Sequence, residues 1–126
     1  MPFEITNEGD YLLARIFGVV TPADLDRFAE EGAIAEEATP TSMDRITDMT
    51  AVERFDVGYP AISNLASRRR VRRFSKPIKS AIVAGDAIQF GFARMFQTLN
   101  DHPQVEFRLF GSIAEAKAWL SLKAIS

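Results

Sequence analysis

The chain has 126 residues, 47% apolar and 25% charged, with a formal net charge of −2; that length supports one domain with its own core. Zero Cys excludes disulfides, thiol catalysis and Cys-based zinc sites, and a single His excludes a multi-His metal centre within one chain. No stretch approaches the ~18 apolar residues of a membrane span, and MPFEITNEGD lacks the basic and apolar regions of a secretory signal, so a soluble cytoplasmic protein is expected.

Taken in chain order, FEIT and YLLARIFG flank NEGD, whose Gly9 supplies turn chemistry, and they read as a β-hairpin. TPADLDRFAEEGAIAEEA opens a helix: Thr21 caps it, Pro22 suits the first helical position, and Asp24 reaches back in a capping box. Leu25, Phe28, Ala29 and Ala33 form its apolar stripe, Asp26, Glu30, Glu31, Glu36 and Glu37 are expected in solvent, and Gly32 weakens its middle. MDRITDM, residues 43–49, reads as a short strand, and YPAISNLASRRRVRR carries Tyr59, Ile62, Leu65 and Ala66 at helical spacing with Asp56 as its cap.

Pro77 ends that helix before IKSAIVAG, the most apolar strand candidate and the expected central strand. Asp86 caps AIQFGFARMFQTLN, with Ile88, Phe92, Met95, Phe96 and Leu99 on one face. Phe90 lies off that stripe and is read as a partly covered surface residue or a partner contact, a dimer or lid contact being one form of it. NDHPQ is a turn in which His102 is expected to be solvated. VEFRLF is a strand, and Ser112 with Glu115 caps a last helix over SIAEAKAWLSLKA whose stripe is Ile113, Ala116, Trp119 and Leu120. The order β-β-α-β-α-β-α-β-α predicts an α/β fold: one domain over residues 1–126 with a mixed, mostly parallel five-stranded sheet and four helices.

The small net charge conceals an asymmetry. Residues 1–56 hold 13 acidic and 4 basic side chains (−9), whereas residues 57–126 hold 4 acidic and 11 basic (+7). Seven of those basics, Arg68, Arg69, Arg70, Arg72, Arg73, Lys76 and Lys79, fall within SRRRVRRFSKPIK. Three readings are open for them. They are solvated or paired with the acidic helix of residues 24–37, they meet an anionic membrane or acidic partner with Val71 and Phe74 inserting shallowly, or they meet nucleic acid. The last is the least favoured, because the rest of the chain is acidic and no recognition motif is visible. Tyr59, Ile62, Leu65, Met95 and Phe96 are candidates to line a cavity beneath the basic helix, with core packing as the plainer reading. Asp44 and Asp48 share a strand face, but carboxylates without a matching pocket do not define acid–base work, and no enzyme activity or cofactor is expected.

Three segments, YLLARIFGVVTPADLDRF, IKSAIVAGDAIQFGFARMF and FRLFGSIAEAKAWL, give a layout that resembles the STAS fold of anti-anti-sigma factors, specifically their SpoIIAA-like bacterial relatives. In anti-anti-sigma factors a strand-end Asp precedes a loop and an Asp-Ser motif whose Ser is phosphorylated. The resemblance places Asp48 at the strand-end acid, Asp56 before the acceptor and Val57 on it, followed by Gly58; valine has no hydroxyl, so that chemistry is absent here. In the SpoIIAA-like relatives a mobile amphipathic helix beside an apolar cavity is linked to ligand binding and membrane association. The resemblance therefore implies a non-enzymatic module that binds an apolar small molecule or lipid and associates with the inner membrane face, as a homodimer if Phe90 is a contact. The alternative is a regulatory protein-interaction module without the phosphoacceptor.

Overall fold

The computed structural model describes residues 2–122. Strands β1 (Phe3–Asn7) and β2 (Tyr11–Val20) form the expected antiparallel hairpin, closed over Glu8, Gly9 and Asp10 with Gly9 at φ +93°, where a side chain would be strained. Helix α1 (Pro22–Glu37), strand β3 (Asp44–Phe55), helix α2 (Tyr59–Arg70), strand β4 (Ile78–Val83), helix α3 (Ala87–Leu99), strand β5 (Val105–Phe110) and helix α4 (Ile113–Ser121) follow. The last helix was expected to reach residue 124; positions 123 and 124 lie outside the described residues.

Spatial strand order matches chain order, β1-β2-β3-β4-β5, with β2 to β5 parallel. Each crossover from β2 to β5 steps the same way, and the preferred handedness of such units then puts their helices on one face. Accordingly α1, α2 and α3 share a face around Phe3, Ile16, Val20, Leu25, Met49, Leu65 and Ile82, while α4 covers the other through Ile46, Ala81, Val83, Ala116 and Trp119. β4 is an interior strand, paired with β3 and with the edge strand β5, and it is buried as its apolar run requires; the central strand is β3.

Local capping chemistry operates as the sequence indicates. Thr21 and Asp24 make a reciprocal box and Asp86 and Gln89 make another, while at α4 only half of a box forms: the Ser112 hydroxyl accepts from the Glu115 N–H at 3.2 Å and donates to the Glu115 carboxylate at 3.1 Å. Three elements depart from expectation. β3 runs on to Phe55 instead of ending at residue 49, because the ten residues of β2 keep pairing with it across two irregularities, one beside Gly18 at φ +74°. α2 is capped by Gly58 with no side-chain bond, so Asp56 is not its cap; the Asp56 backbone N–H instead donates to the Val20 carbonyl at 2.8 Å.

The buried face of α3 is also rotated from the expected stripe. Gln89 and Ala93 are buried, whereas Ile88 is 74% exposed and Met95 is exposed as well. Phe90 is half-buried and packs against the main core. A buried glutamine at the inward position explains the misreading, since its amide is fully used: it accepts from the Gly85 and Asp86 N–H groups and donates to the Thr50 and Val52 carbonyls of β3. α2 rests on α1 and α3 and makes little contact with the sheet, which leaves space beneath it.

Candidate functional site

That space is a cavity of about 80 Å³. Leu25, Phe28 and Ala29 of α1, Leu65 of α2, and Phe92 and Phe96 of α3 wall it on the helical side. Leu12, Ala14, Ile16, Met49, Ile82 and Phe107 form its floor on the sheet. Of the residues the sequence suggested for a pocket, Leu65 and Phe96 line it. Ile62 is buried elsewhere, and Tyr59 and Met95 lie on the outside because α2 and α3 are turned from the orientation their apolar spacing suggests.

One end of the cavity is polar. Arg45, Arg69, Ser80 and Asn100 line it, and all but Arg45 are more than nine-tenths buried. Alternation along β3 turns Arg45, Thr47 and Met49 toward the helices, while Ile46 and Asp48 face the other way. Arg69, in the last turn of α2, reaches Glu36 of α1 with two parallel bonds of 2.6 and 3.0 Å, the paired geometry guanidinium and carboxylate favour. Arg45 approaches the same carboxylate at 3.2 Å and lies over the Phe74 ring. Two guanidinium groups thus share one buried carboxylate.

Burial alone would raise the Glu36 carboxyl, but the Arg69 hydrogen bonds and the charges of Arg45, Arg69 and Arg72 outweigh it and hold the group below its ordinary value. Burial, then the charge of Arg69, pushes the Arg45 guanidinium down to about 9 against the pull of Glu36. Glu36, expected in solvent, is instead the anionic hub of this end. Gly32 accommodates the arrangement: it lines the cavity, and a Cβ there would stand 4.0 Å from the Arg69 Nη1.

The basic run divides by partner. Arg68 pairs with Asp26 at 3.3 Å and Glu30 at 3.9 Å, and Arg72 with Glu37 at 3.1 Å, so α2 is tied to the acidic α1. Lys79 donates to the carbonyls of Trp119 and Leu122 on the opposite face. Among the described residues Arg70, Arg73 and Lys76 make no ion pair, and Val71 between them is 74% exposed.

Phe74 is half-buried and held in place. Its N–H and carbonyl are both held by the Gln104 amide, at 3.0 and 2.8 Å, and its ring lies against His102. His102 itself is buried rather than solvated. The Gln104 N–H donates to Nδ1, so Nε2 carries the proton and donates to the Arg72 carbonyl at 2.6 Å. The turn NDHPQ thereby pins the segment that follows α2.

The junction compared with a phospho-switch is built differently here. Asp48 lies within β3, seven residues before its end, buried, accepting from the Thr50 N–H and hydroxyl at 3.0 and 2.7 Å and facing Arg15 at 3.8 Å. It is therefore not a strand-end acid. Asp56 is exposed, and Val57 packs against the main core.

No protein-family model matches the chain, and no curated protein matches it. Among solved structures, the crystal structure of an uncharacterised DUF3478-family protein from Shewanella loihica PV-4, described as having a SpoIIAA-like fold, aligns over 94% of this chain and 91% of its own. The TM-score is 0.62 at 19% identity. The fold is SpoIIAA-like. A second structure, Mglu in its native form, aligns at a TM-score of 0.34 and 15% identity over 83% of this chain and 23% of its own, and carries no argument.

Within the SpoIIAA-like fold, the residues that matter most at the cavity are ones the sequence did not single out: Arg45, Glu36 and Asn100. Signals for two of them exist. Arg45 alternates with Asp44 and Ile46 and so shares a face with Thr47 and Met49, and Gly32 marks the helix turn opposite Arg69. Nothing local marks Asn100, whose role depends on where α3 ends.

Proposed function

We propose that this protein is a non-enzymatic binding module that takes a small apolar or amphipathic molecule into the cavity beneath α2. The observation that carries this reading is the cavity itself: a partly open, phenylalanine-rich space under a helix that rests on other helices rather than on the sheet. Apolar pockets with a few convergent polar groups are the usual form of small-molecule sites. Titration of isotope-labelled protein with benzene and with butanol, followed by amide NMR, tests it. Shifts concentrated at Leu65, Phe92 and Phe96 support the reading; no saturable shifts, or shifts confined to the surface, overturn it.

A weaker second activity, contact with anionic membrane, is favoured by Arg70, Arg73 and Lys76 around the exposed Val71. With about 1 kcal/mol for each basic group near the surface, three free cations support only transient attachment. Co-sedimentation with vesicles with and without anionic lipid tests this, and equal binding to both would remove it.

A further inference from the structure

The apolar cavity ends in polar chemistry that its apolar lining does not need. Asn100, 2% exposed, is the residue at which α3 stops, and its backbone N–H is used by Phe96. Among the described residues, neither its side-chain Oδ1 nor its Nδ2 has a hydrogen-bond partner. Buried polar atoms are nearly always satisfied, and leaving a donor and an acceptor orphaned in one side chain is costly. Asn100 lines the cavity together with Arg45 and Arg69.

The charge at that end does not balance. Arg45 and Arg69 face one carboxylate, Glu36, and the next acid along, Glu37, is taken by Arg72 on the outside. Buried charge is tolerated when paired, so one positive charge is in excess. Arg45 also has donor capacity to spare, since a guanidinium carries five N–H groups and here meets one carboxylate edge-on and one aromatic ring.

We infer that the polar end is a headgroup site for a monoanionic carboxylate, bound between Arg45 and Asn100 with its hydrocarbon tail among Phe28, Phe92, Phe96 and Phe107. The inference rests on the cavity being a binding site and adds the chemistry of what it selects. A carboxylate supplies one negative charge, which neutralises the excess; it accepts from Arg45 through one oxygen and from Asn100 Nδ2 through the other. A phosphate dianion would overshoot the charge and has no use for the apolar wall. The volume limits the ligand: an apolar cavity of roughly 150 Å³ admits benzene, so at about 80 Å³ the cavity as it stands takes a smaller acid, and butanoate, with six heavy atoms like benzene, enters as α2 lifts.

A route in is visible. Between α1 and α2, on the solvent side, lies a shallow basin lined by Glu30, Ile34, Glu37, Arg68 and Arg72. Ala29 and Arg69 line both that basin and the inner cavity. Arg69 and its bond to Glu36 therefore stand at the boundary between the two.

The test is a matched titration of the full chain with butanoate, hexanoate, butanol, methyl butanoate and inorganic phosphate, read by amide NMR. Butanoate should bind at least ten-fold more tightly than butanol or the ester, shifting Arg45 and Asn100 as well as the phenylalanine wall. Arg45→Met and, separately, Asn100→Leu should each erase the preference for the acid, so that butanoate and butanol bind within two-fold of each other on the same variant. Equal affinity for acid and alcohol overturns the headgroup assignment and leaves the binding module standing. Phosphate binding as tightly as butanoate also overturns it, because the site would then be a plain anion site. No binding of any apolar probe overturns both.

Discussion

Replacing each member of the Glu36 cluster in turn should give an order of stability that surface ion pairs never would. Glu36→Gln leaves Arg45 and Arg69 buried beside each other without a counter-charge. Breaking a buried pair in this way costs about 3–5 kcal/mol, a large share of the ~5–15 kcal/mol that a domain of this kind possesses. At roughly 3–6 °C per kcal/mol for a domain of intermediate size, Tm should fall by about 9–30 °C. Arg69→Met is milder, because Glu36 keeps Arg45 at 3.2 Å; the loss is that of a charged, two-pronged hydrogen bond, about 1.5–3 kcal/mol.

Arg45→Met should be neutral or stabilising. Glu36 remains satisfied by Arg69 at 2.6 and 3.0 Å. The excess buried charge disappears, and replacement of buried ions by packed apolar groups is often neutral or stabilising by ~1–4 kcal/mol. Its guanidinium is pushed down to about 9, so at neutral pH the folded state carries that charge at a cost. Urea unfolding followed by the fluorescence of Trp119, the single tryptophan, gives all three values. An Arg45→Met variant as unstable as Glu36→Gln would refute the charge accounting, and with it the claim that one cation at this end is surplus.

The remaining predictions can be checked on the same protein. Because Glu36 is depressed in the folded state, its contribution is complete above the ordinary carboxylate value of 4.5 and is lost as pH falls below it; the acid limb of unfolding should flatten in Glu36→Gln. Gly32→Ala should stabilise by about 1 kcal/mol through helix propensity, since its new Cβ meets only the Arg69 Nη1 at 4.0 Å; destabilisation would mean that the helix needs glycine for another reason. Ala14→Leu, which fills the cavity floor, should raise stability by ~0.5–2 kcal/mol and abolish butanol shifts, whereas overpacking would show as a lower urea midpoint. His102→Ala removes the bonds to the Arg72 carbonyl and the Gln104 N–H; it should cost about 1–3 kcal/mol and quicken tryptic cleavage within residues 70–73.

The sequence by itself determined the element order, the hairpin turn at Gly9, the caps at Thr21, Asp86 and Ser112, the burial of β4 inside the sheet and the apolar stripe of α4. Each of these is written in neighbouring residues: a cap needs a side chain within three positions, and a stripe needs only its own period. The length of β3 was not legible, because Thr50, Glu53 and Arg54 interrupt its apolar pattern and only pairing with β2 across the Gly18 irregularity keeps it extended. Nor was the inward face of α3, where a glutamine with four backbone partners occupies a position that hydrophobic spacing gives to isoleucine.

Tertiary structure alone decided the fate of the charges. Arg69 and Glu36 are 33 residues apart, and on each helix their neighbours in sequence are equally charged side chains that stay in water. Nothing local distinguishes Arg69 from Arg70, or Glu36 from Glu31. What separates them is that α2 lies across α1 and α3 above the sheet, so that a rotation of about 100° per residue turns Arg69 inward and Arg70 out to solvent. The same arrangement opens the cavity and carries Asn100 to its wall.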